Sequence, residues 1–280
     1  MPSSGGFDQN VVFSDMNMVI PLAKKDTPGR IKMWMTVAFI GALMLASFIH
    51  LSINPIDVLS APPTMITFMV NNFFPPNTAI VTNAMPVIIE TFFFAVIATY
   101  VSAIISFTLG VLMSERLNRN AVVRRAVRYF VAFLRNIPVI IWGSLLVFIF
   151  GIGNIVGLIA LTIATMGFLS RSYAESMNDI AGERLEAMYA SGASYMQILV
   201  HGLIPEFVPA WLNWTLFSFE INIRASAILG MVGAGGMGML INSQMNLRNF
   251  RSASMLIIIL VGMILVTEFT VGFLRRRLAK

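Results

Sequence analysis

The sequence predicts an all-α, polytopic membrane protein with six transmembrane helices. Of its 280 residues, 57% are hydrophobic and only 11% are charged, whereas about 25% of the residues in soluble domains are charged. The mean hydropathy is +0.81. The apolar residues form runs of about 20, the length that an α-helix needs to cross a bilayer. They do not form the alternating ten-residue segments of a membrane β-barrel.

Six predicted spans are separated by polar or glycine-containing segments. The apolar run 136–170 is too long for one span, and GIGN at 151–154 divides it because Gly and Asn tolerate the positive φ of a tight turn. We expect Pro138 to bend the third span and a short amphipathic helix around 64–74 to lie at the outer interface. The spans are predicted at about 33–53, 91–113, 128–150, 154–174, 206–229 and 253–274.

The distribution of Lys and Arg predicts that both termini are cytoplasmic. Loops rich in these residues stay on the cytoplasmic side of a membrane. The segments 115–128 and 171–205 and the C-terminal end carry them, whereas 54–90 contains none. The segment 230–252, which carries two arginines and lies outside in this topology, disagrees mildly.

Three regions are predicted along the chain: a cytoplasmic tail at 1–30, a first transmembrane helix with an external segment at 31–84, and a core transmembrane domain at 85–280. The absence of cysteine excludes disulfides and thiolate metal sites. The net charge of +6 reflects the loops that set the topology, and we expect no nucleic-acid binding. Because the sequence has no G-x-x-x-x-G-K-[ST] motif, we expect no ATPase site in this chain.

A polar stretch between the fourth and fifth spans is the most distinctive part of the sequence. Glu183 and Glu186 lie near the start of a predicted helix, where the helix dipole favours acidic side chains. Ala187 is small, Gly192 can break or bend the helix, and Pro205 suits the first turn of the next span. From residue types alone, an ordinary amphipathic loop and a docking surface for another protein fit equally well.

The spacing within 181–205 resembles the cytoplasmic loop of bacterial ABC importer permeases. The family pattern is EAA, three residues, G, nine residues, then I-x-L-P. Here Met188 replaces the second Ala, Gly202 replaces the Ile and Ile204 replaces the Leu, while the spacing is kept. The resemblance implies a coupling helix, between the fourth and fifth transmembrane helices, that sits in a cleft of an ATPase subunit.

Two ionisable residues lie inside the fifth predicted span. Glu220 and Arg224 are four residues apart, so they share one helix face in the order that favours an ion pair. Ionisable side chains within a membrane usually face a bundle interior or a water-filled cavity. Two interpretations stay open: a structural pair that neutralises itself, and a pathway in which Arg224 meets an anion.

A glycine-rich run follows at 229–238. It contains G-x-G-x-x-G, but a dinucleotide fold is disfavoured because the motif is not in a βαβ unit and no acidic residue follows until Glu268. Non-helical backbone is tolerated at membrane depth where it lines a cavity, and Gly233, Gly235 and Gly236 could present N–H groups to an anion. A simple external turn is the alternative.

Residues 217–238 resemble one subgroup, the permeases of phosphonate and phosphite importers, in which Glu-x-x-x-Arg precedes L-G-x-V-G-A-G-G-x-G. The wider resemblance covers roughly 85–276 and implies a type I importer with a methionine-permease-like fold. Arg135 and Pro138 are similar to an Arg-x-x-Pro element of these permeases. Arg135 is predicted near the cytoplasmic side of the third span, and an arginine that only snorkels to the interface is the alternative.

The resemblance implies a permease that carries phosphonate, phosphite or a related phosphorus oxyanion across the bacterial inner membrane by alternating access. It implies four partners: a second copy of the chain, a cytoplasmic ATPase dimer, an external substrate-binding protein and the lipid bilayer. ATP and Mg would be bound by the ATPase, and this chain would bind no cofactor. An ABC permease for another solute is the alternative. A self-contained secondary transporter or membrane enzyme is disfavoured, since neither an internal repeat nor a catalytic set is visible.

Overall fold

The computed structural model describes residues 27–52, 54–180, 182, 187–188 and 190–278, and these residues form helices and connecting segments without a β-strand. The helices are α1 (Thr27–His50), α2 (Pro55–Phe73), α3 (Ile80–Met113), α4 (Ala121–Asn136), α5 (Val139–Phe150), α6 (Asn154–Ile180), α7 (Tyr195–Gln197), a π-helical segment (Ile198–Leu203), α8 (Ile204–Met231), α9 (Gly236–Asn246) and α10 (Phe250–Leu278). The all-α prediction is confirmed.

By length and composition, five helical stretches of the described residues could cross a membrane, and the number reaches the predicted six if the bent pair α4–α5 is counted as one span. The five stretches are Arg30–His50, Ile80–Met113, Asn154–Ile180, Tyr195–Asn246 and Phe250–Arg277. The chain also divides into two compact units, Met1–Thr67 and Phe68–Lys280. The site described below lies in the second unit.

The third predicted span is not one helix. Helices α4 and α5 meet at 86°, which is a sharper change of direction than the predicted bend. Pro138 has no N–H and forces the residue before it out of the helical conformation, and Ile137 accordingly has φ −90° and ψ 118°. Helix α5 has 12 residues, or about 18 Å of length, so it cannot by itself cross a hydrocarbon core of about 30 Å.

Two other segments differ from the sequence prediction. The helix expected around 64–74 extends over Pro55–Phe73 and includes Pro62 and Pro63. The region after the fifth span, expected to be irregular, contains helix α9. Its sequence lacks a long apolar run, so hydropathy alone did not reveal it.

Helices α3, α6 and α8 form the centre of the second unit. Small residues let α3 approach α6 closely: a Cβ on Gly110 would lie 3.1 Å from the Cβ of Tyr173. The hydroxyl of Ser102 donates to the carbonyl of Thr162 at 2.9 Å, and a second serine on α3 makes the same kind of bond one turn further along α6. These contacts fix the framework on which the site residues are placed.

The connections between helices gather at two ends of this framework. At the first, which we call the basic end, α3 and α6 both terminate, and Ser114 Oγ donates to Asn178 Oδ1 at 2.7 Å. At the second, the glycine end, the N–H of Gly153 donates to the carbonyl of Gly233 at 3.2 Å. The segments that the charge distribution predicts on one side of the membrane therefore lie at one end of the fold.

Candidate functional site

The structure describes part of the predicted coupling segment, by which we mean residues 181–205. Glu183 and Glu186 lie outside the described residues, so their predicted roles stay predictions. Ala187 is helical and exposed, Gly192 lies in the turn that follows, and Pro205 occupies the first turn of α8. Pro205 fits there because the first N–H groups of a helix have no intrahelical partner to lose.

Gly192 ends the helical part of this segment, as the sequence predicts. Its φ is +83°, and the N–H of Ala193 donates to the carbonyl of Met188 at 3.1 Å across it. This hydrogen bond is typical of a helix that terminates on a left-handed glycine. Among the described residues other than its chain neighbours, no atom lies within 4 Å of the position that a Cβ would take, so the backbone conformation, and not crowding, requires glycine here.

A second short helix, α7, follows directly, and the side chains of its N-cap and of its first turn cap its N-terminus. Ser194 Oγ accepts from the N–H of Gln197 at 3.4 Å, and Gln197 Oε1 accepts from the N–H of Ser194 at 2.8 Å. This reciprocal capping box satisfies two helix-terminal donors. The segment is therefore a helix, a glycine turn and a capped helix that continues into α8.

The same segment is anchored to the bundle on one side. Ile198 and Leu203 are fully buried against Tyr173 and Phe207, and Met188 packs against this cluster. On the other side, Ala187 and Ala190 are exposed and small. Met188, the departure from the family pattern, thus links the exposed surface to the membrane helices. Sequence reasoning recorded the substitution but not this contact.

Glu220 and Arg224 form the ion pair that their spacing predicts. The guanidinium of Arg224 hydrogen bonds directly to Glu220 Oε1. The Glu220 side chain is 13% exposed and that of Arg224 is 46% exposed. Since a carboxylate already engages the charge of Arg224, the geometry favours the structural interpretation of this pair.

The glycine run is non-helical only at 232–235, between α8 and α9, and it packs closely on α3 and α6. The N–H of Met237 donates to Thr91 Oγ1 at 2.9 Å. Gly235 and Gly236 are buried with φ of +82° and +69°, and a Cβ on Gly235 would lie 2.0 Å from Asn154 Oδ1. Gly233 has φ +94° and accepts the bond from the 151–154 turn described above. These contacts give the run a packing role, and its predicted contact with an anion stays a prediction.

Arg135 lies deeper in the fold than the sequence predicts. A Cβ on Gly167 would lie 2.9 Å from the backbone nitrogen of Arg135, and Gly167 is the central residue of α6. The α4–α5 break therefore packs against the middle of α6. The Arg135 side chain is exposed and makes no hydrogen bond or ion pair with another described residue.

A buried polar network crosses the same level of the bundle. Thr165 Oγ1 donates to Asn222 Oδ1 at 2.7 Å, and Asn222 Nδ2 donates to Thr99 Oγ1 at 2.9 Å. All three side chains are at most 5% exposed. One turn before Asn222 on α8, the hydroxyl of Ser218 is buried without a hydrogen-bond partner. Sequence reasoning missed these residues, although a polar Asn and Ser within an apolar span are a readable signal.

Two cavities meet at Arg135. One has a volume of about 280 Å³ and lies between the α4–α5 break, α6 and α8, with Arg135, Thr165, Ser218 and Asn222 among its lining residues. The other, of about 370 Å³, extends from Arg135 toward the basic end. The structure thus brings together Arg135 and two residues of α8 that the sequence analysis did not connect.

The other arginines of the larger cavity are engaged by carboxylates. Arg128 lies 2.9 Å from Glu115 Oε1 and also donates to the carbonyl of Met113. Arg171 lies 2.7 Å from Glu175 Oε1. The hydrogen bond and the charge of Arg128 hold the pKa of Glu115 below its usual value, so this pair is ionised at neutral pH.

Comparison with known proteins identifies relatives along most of the chain. Residues 106–280 match the family model described as the binding-protein-dependent transport system inner membrane component. A phosphate-import permease protein, PhnE, of Mycolicibacterium smegmatis is 28% identical over 84% of this chain, and the chain spans only 44% of that relative's length. A phosphite transport system permease protein, PtxC, of Stutzerimonas stutzeri is 24% identical over 84% of this chain and 86% of its own length.

The fold also has a counterpart among solved structures. The MetNI methionine ABC transporter, in inward-facing conformations, contains a chain that is covered completely and matches 73% of this chain with a TM-score of 0.65 and 24% identity. At this level of identity the likeness concerns the fold alone.

Proposed function

The chain belongs to the family of binding-protein-dependent transport system inner membrane components, and from this premise we propose that it carries a phosphorus oxyanion through the inner membrane as the permease of an ATP-driven importer. The observation that carries the proposal is the family match over 106–280, which includes the whole coupling segment. The substrate class rests on relatives that are named for phosphate import and for phosphite transport. Phosphite, phosphonate and phosphate share the tetrahedral anionic group that such a pathway must accept.

The coupling segment suits a role as the contact with a cytoplasmic ATPase. Its outer face is exposed and carries small side chains, so another protein can approach the backbone closely. Its inner face is held to α6 and α8 through Met188 and Ile198. A displacement imposed on the outer face is therefore passed to the membrane helices as a movement of packed elements. ATP and Mg belong to the ATPase dimer in this proposal, and this chain supplies the two-state membrane part.

The remaining partners follow from the same proposal. A second copy of this chain completes the pathway, and an external substrate-binding protein delivers the anion at the glycine end. The basic end faces the cytoplasm, and both termini lie on the cytoplasmic side of the membrane. This orientation agrees with the concentration of arginines at that end.

Reconstitution of the chain with its ATPase and its binding protein in proteoliposomes tests the proposal. Labelled phosphite, methylphosphonate and phosphate are compared with methionine, with and without internal ATP. We expect ATP-dependent uptake of at least one phosphorus oxyanion and none of methionine. Uptake of methionine without any phosphorus oxyanion would overturn the substrate class. Uptake that proceeds without the ATPase would overturn the importer mechanism.

A further inference from the structure

We propose that the cavity of about 280 Å³ between the α4–α5 break, α6 and α8 is a binding site for one small oxyanion inside each copy of the permease. The inference rests on the proposed function and adds to it a location and a set of ligands. We call this cavity the break cavity. Four independent features of its walls support an anionic occupant.

The first feature is an unsatisfied donor. Ser218 is 2% exposed, lines the break cavity and has no hydrogen-bond partner for its hydroxyl. A buried hydroxyl without a partner is costly, and native structures rarely keep one without a reason. An oxyanion in the cavity would accept this O–H and remove the cost.

The second feature is an unneutralised charge. Arg135 lines the break cavity and makes no ion pair within the described part of the chain, in contrast to Arg128, Arg171 and Arg224, which each contact a carboxylate. No acidic residue lines the break cavity. A guanidinium offers several donors in a planar fork that matches an oxyanion.

The third feature is the helix break itself. Pro138 and Val139 line the break cavity. Pro138 is the N-cap of α5, and Val139 is its first residue. The N–H groups of Ile141 and Trp142 donate to the carbonyl of Pro138, so the N–H groups at the very start of the helix have no acceptor in their own helix. The positive end of the α5 dipole therefore adds to the charge of Arg135. Discontinuous membrane helices in other transporters direct such N-termini at anionic groups of the substrate.

The fourth feature is position. The break cavity lies at the level of Gly167, the centre of α6, beside the buried Thr165–Asn222 hydrogen bond. A charged side chain this deep among membrane helices is expected to have a functional partner. The volume is slightly below the range of about 300–1,000 Å³ for pockets that hold drug-sized ligands, which suits a small anion. Arg135 also lines the larger cavity toward the basic end, so an anion released from the site has an adjoining space in that direction.

The test compares variants of the assembled transporter, with its ATPase and binding protein, in phosphite and methylphosphonate uptake. Ser218→Ala removes the hydroxyl, and we expect about a threefold to tenfold rise in the substrate concentration for half-maximal uptake, as for one lost hydrogen bond to a charged group. Arg135→Gln is expected to lower uptake about tenfold or more, with Arg135→Lys intermediate because it keeps the charge without the fork.

Ser226→Ala is the matched control. Ser226 lies on the same helix and is 4% exposed, but its hydroxyl is already bonded to the carbonyl of Ile223 at 2.7 Å and does not line the break cavity. Its uptake should stay within about twofold of the wild type, since a substitution away from special features has a small effect. Pull-down of the ATPase by each variant checks that folding and assembly are intact.

A binding measurement separates the site from the transport cycle. Thermal unfolding of the detergent-solubilised transporter is followed with and without sodium phosphite. We expect phosphite to raise the midpoint of the wild type and of Ser226→Ala, and to have less effect on Ser218→Ala and Arg135→Gln. If both of these variants assemble, transport phosphite as the wild type does and keep the full thermal shift, the anion site is wrong while the proposed function stands. If the wild type transports no phosphorus oxyanion, the proposed function fails first, and the anion site fails with it.

Discussion

At the residue scale, two arginines differ in whether a carboxylate neutralises their charge: Arg224 is paired with Glu220, and Arg135 has no ion pair among the described residues. Arg224 has a carboxylate four residues away on its own helix, so its charge is neutralised locally. Arg135 lies in the last turn of α4, three residues before Pro138, and none of the described carboxylates forms an ion pair with it. Local pairing is therefore the feature that distinguishes a structural arginine from one that is available to a ligand.

Unequal burial of this pair predicts unequal effects of its two single substitutions. Arg224→Gln leaves a carboxylate that is only 13% exposed, whereas Glu220→Gln leaves a guanidinium that is 46% exposed. We expect Arg224→Gln to destabilise the protein by about 2 kcal/mol and Glu220→Gln by about 1 kcal/mol or less, since burial raises the cost of an unpaired charge and exposure lowers it. Thermal unfolding in detergent measures both.

The double variant Glu220→Gln/Arg224→Gln separates the two interpretations of the pair. For a structural pair, it should be more stable than Arg224→Gln alone and should retain uptake, because neither charge is left unpaired. Loss of uptake in a stable, assembled double variant would instead show that Arg224 serves the pathway.

At the element scale, the coupling segment and the α4–α5 break each depend on one residue that controls the backbone. Gly192 provides the positive φ that ends a helix at an exposed surface. Pro138 ends α4 and begins α5 at mid-depth of the bundle. The first element presents an exposed surface, and the second places a helix N-terminus and Arg135 at the break cavity.

Gly192→Ala should disturb the coupling segment through its backbone. Because the φ of +83° is unfavourable for any residue with a Cβ, we expect a local cost of about 1 kcal/mol and weaker capture of the ATPase. Pull-down of the ATPase and ATP-dependent uptake are measured together. Gly262→Ala is the control, since Gly262 also has open space around its Cβ position but lies within α10 without a positive φ. Equal behaviour of the two variants would contradict the role assigned to the turn.

At the scale of the whole molecule, the connections of the second unit gather at a basic end and a glycine end. The arginine-rich region around α4 and the coupling segment share the first end, where Leu117, Ile198 and Leu203 belong to one buried hydrophobic cluster. The second end holds the glycine run and the 151–154 turn. An importer needs this polarity, because its motor and its substrate delivery act on opposite sides of the membrane.

Because the chain has no cysteine, single introduced cysteines test the orientation directly. Ala190→Cys lies in the coupling segment and Asn246→Cys at the end of α9, and both positions are exposed. We expect a membrane-impermeant maleimide to label Asn246→Cys on intact spheroplasts and Ala190→Cys only after the membrane is opened. The wild type should remain unlabelled. The reverse pattern would place the basic end outside and would exclude a cytoplasmic ATPase at the coupling segment.

The features that were predictable from sequence depend on residues close together in the chain. Apolar runs gave the spans, and the turn at 151–154 was found because Gly and Asn permit it locally. The spacing from Glu186 to Pro205 identified the family, which the match over 106–280 confirms. The ion pair on α8 followed from a separation of four residues on one helix. Helix α9 and the early part of α2 were missed because neither is marked by a long apolar run without breaks.

The sequence by itself determined the membrane class, the apolar helices that are candidates for spans, and the family, since composition, periodicity and motif spacing are properties of neighbouring residues. Only the tertiary structure decided which polar groups meet. Pro138 indicated a bend, but the sequence did not predict its angle of 86° or the packing of α4 against Gly167. That packing brings Arg135 to the cavity that Ser218 and Asn222 of α8 also line. These residues are far apart in the chain, and contacts of that range are set by how the helices pack rather than by local preference.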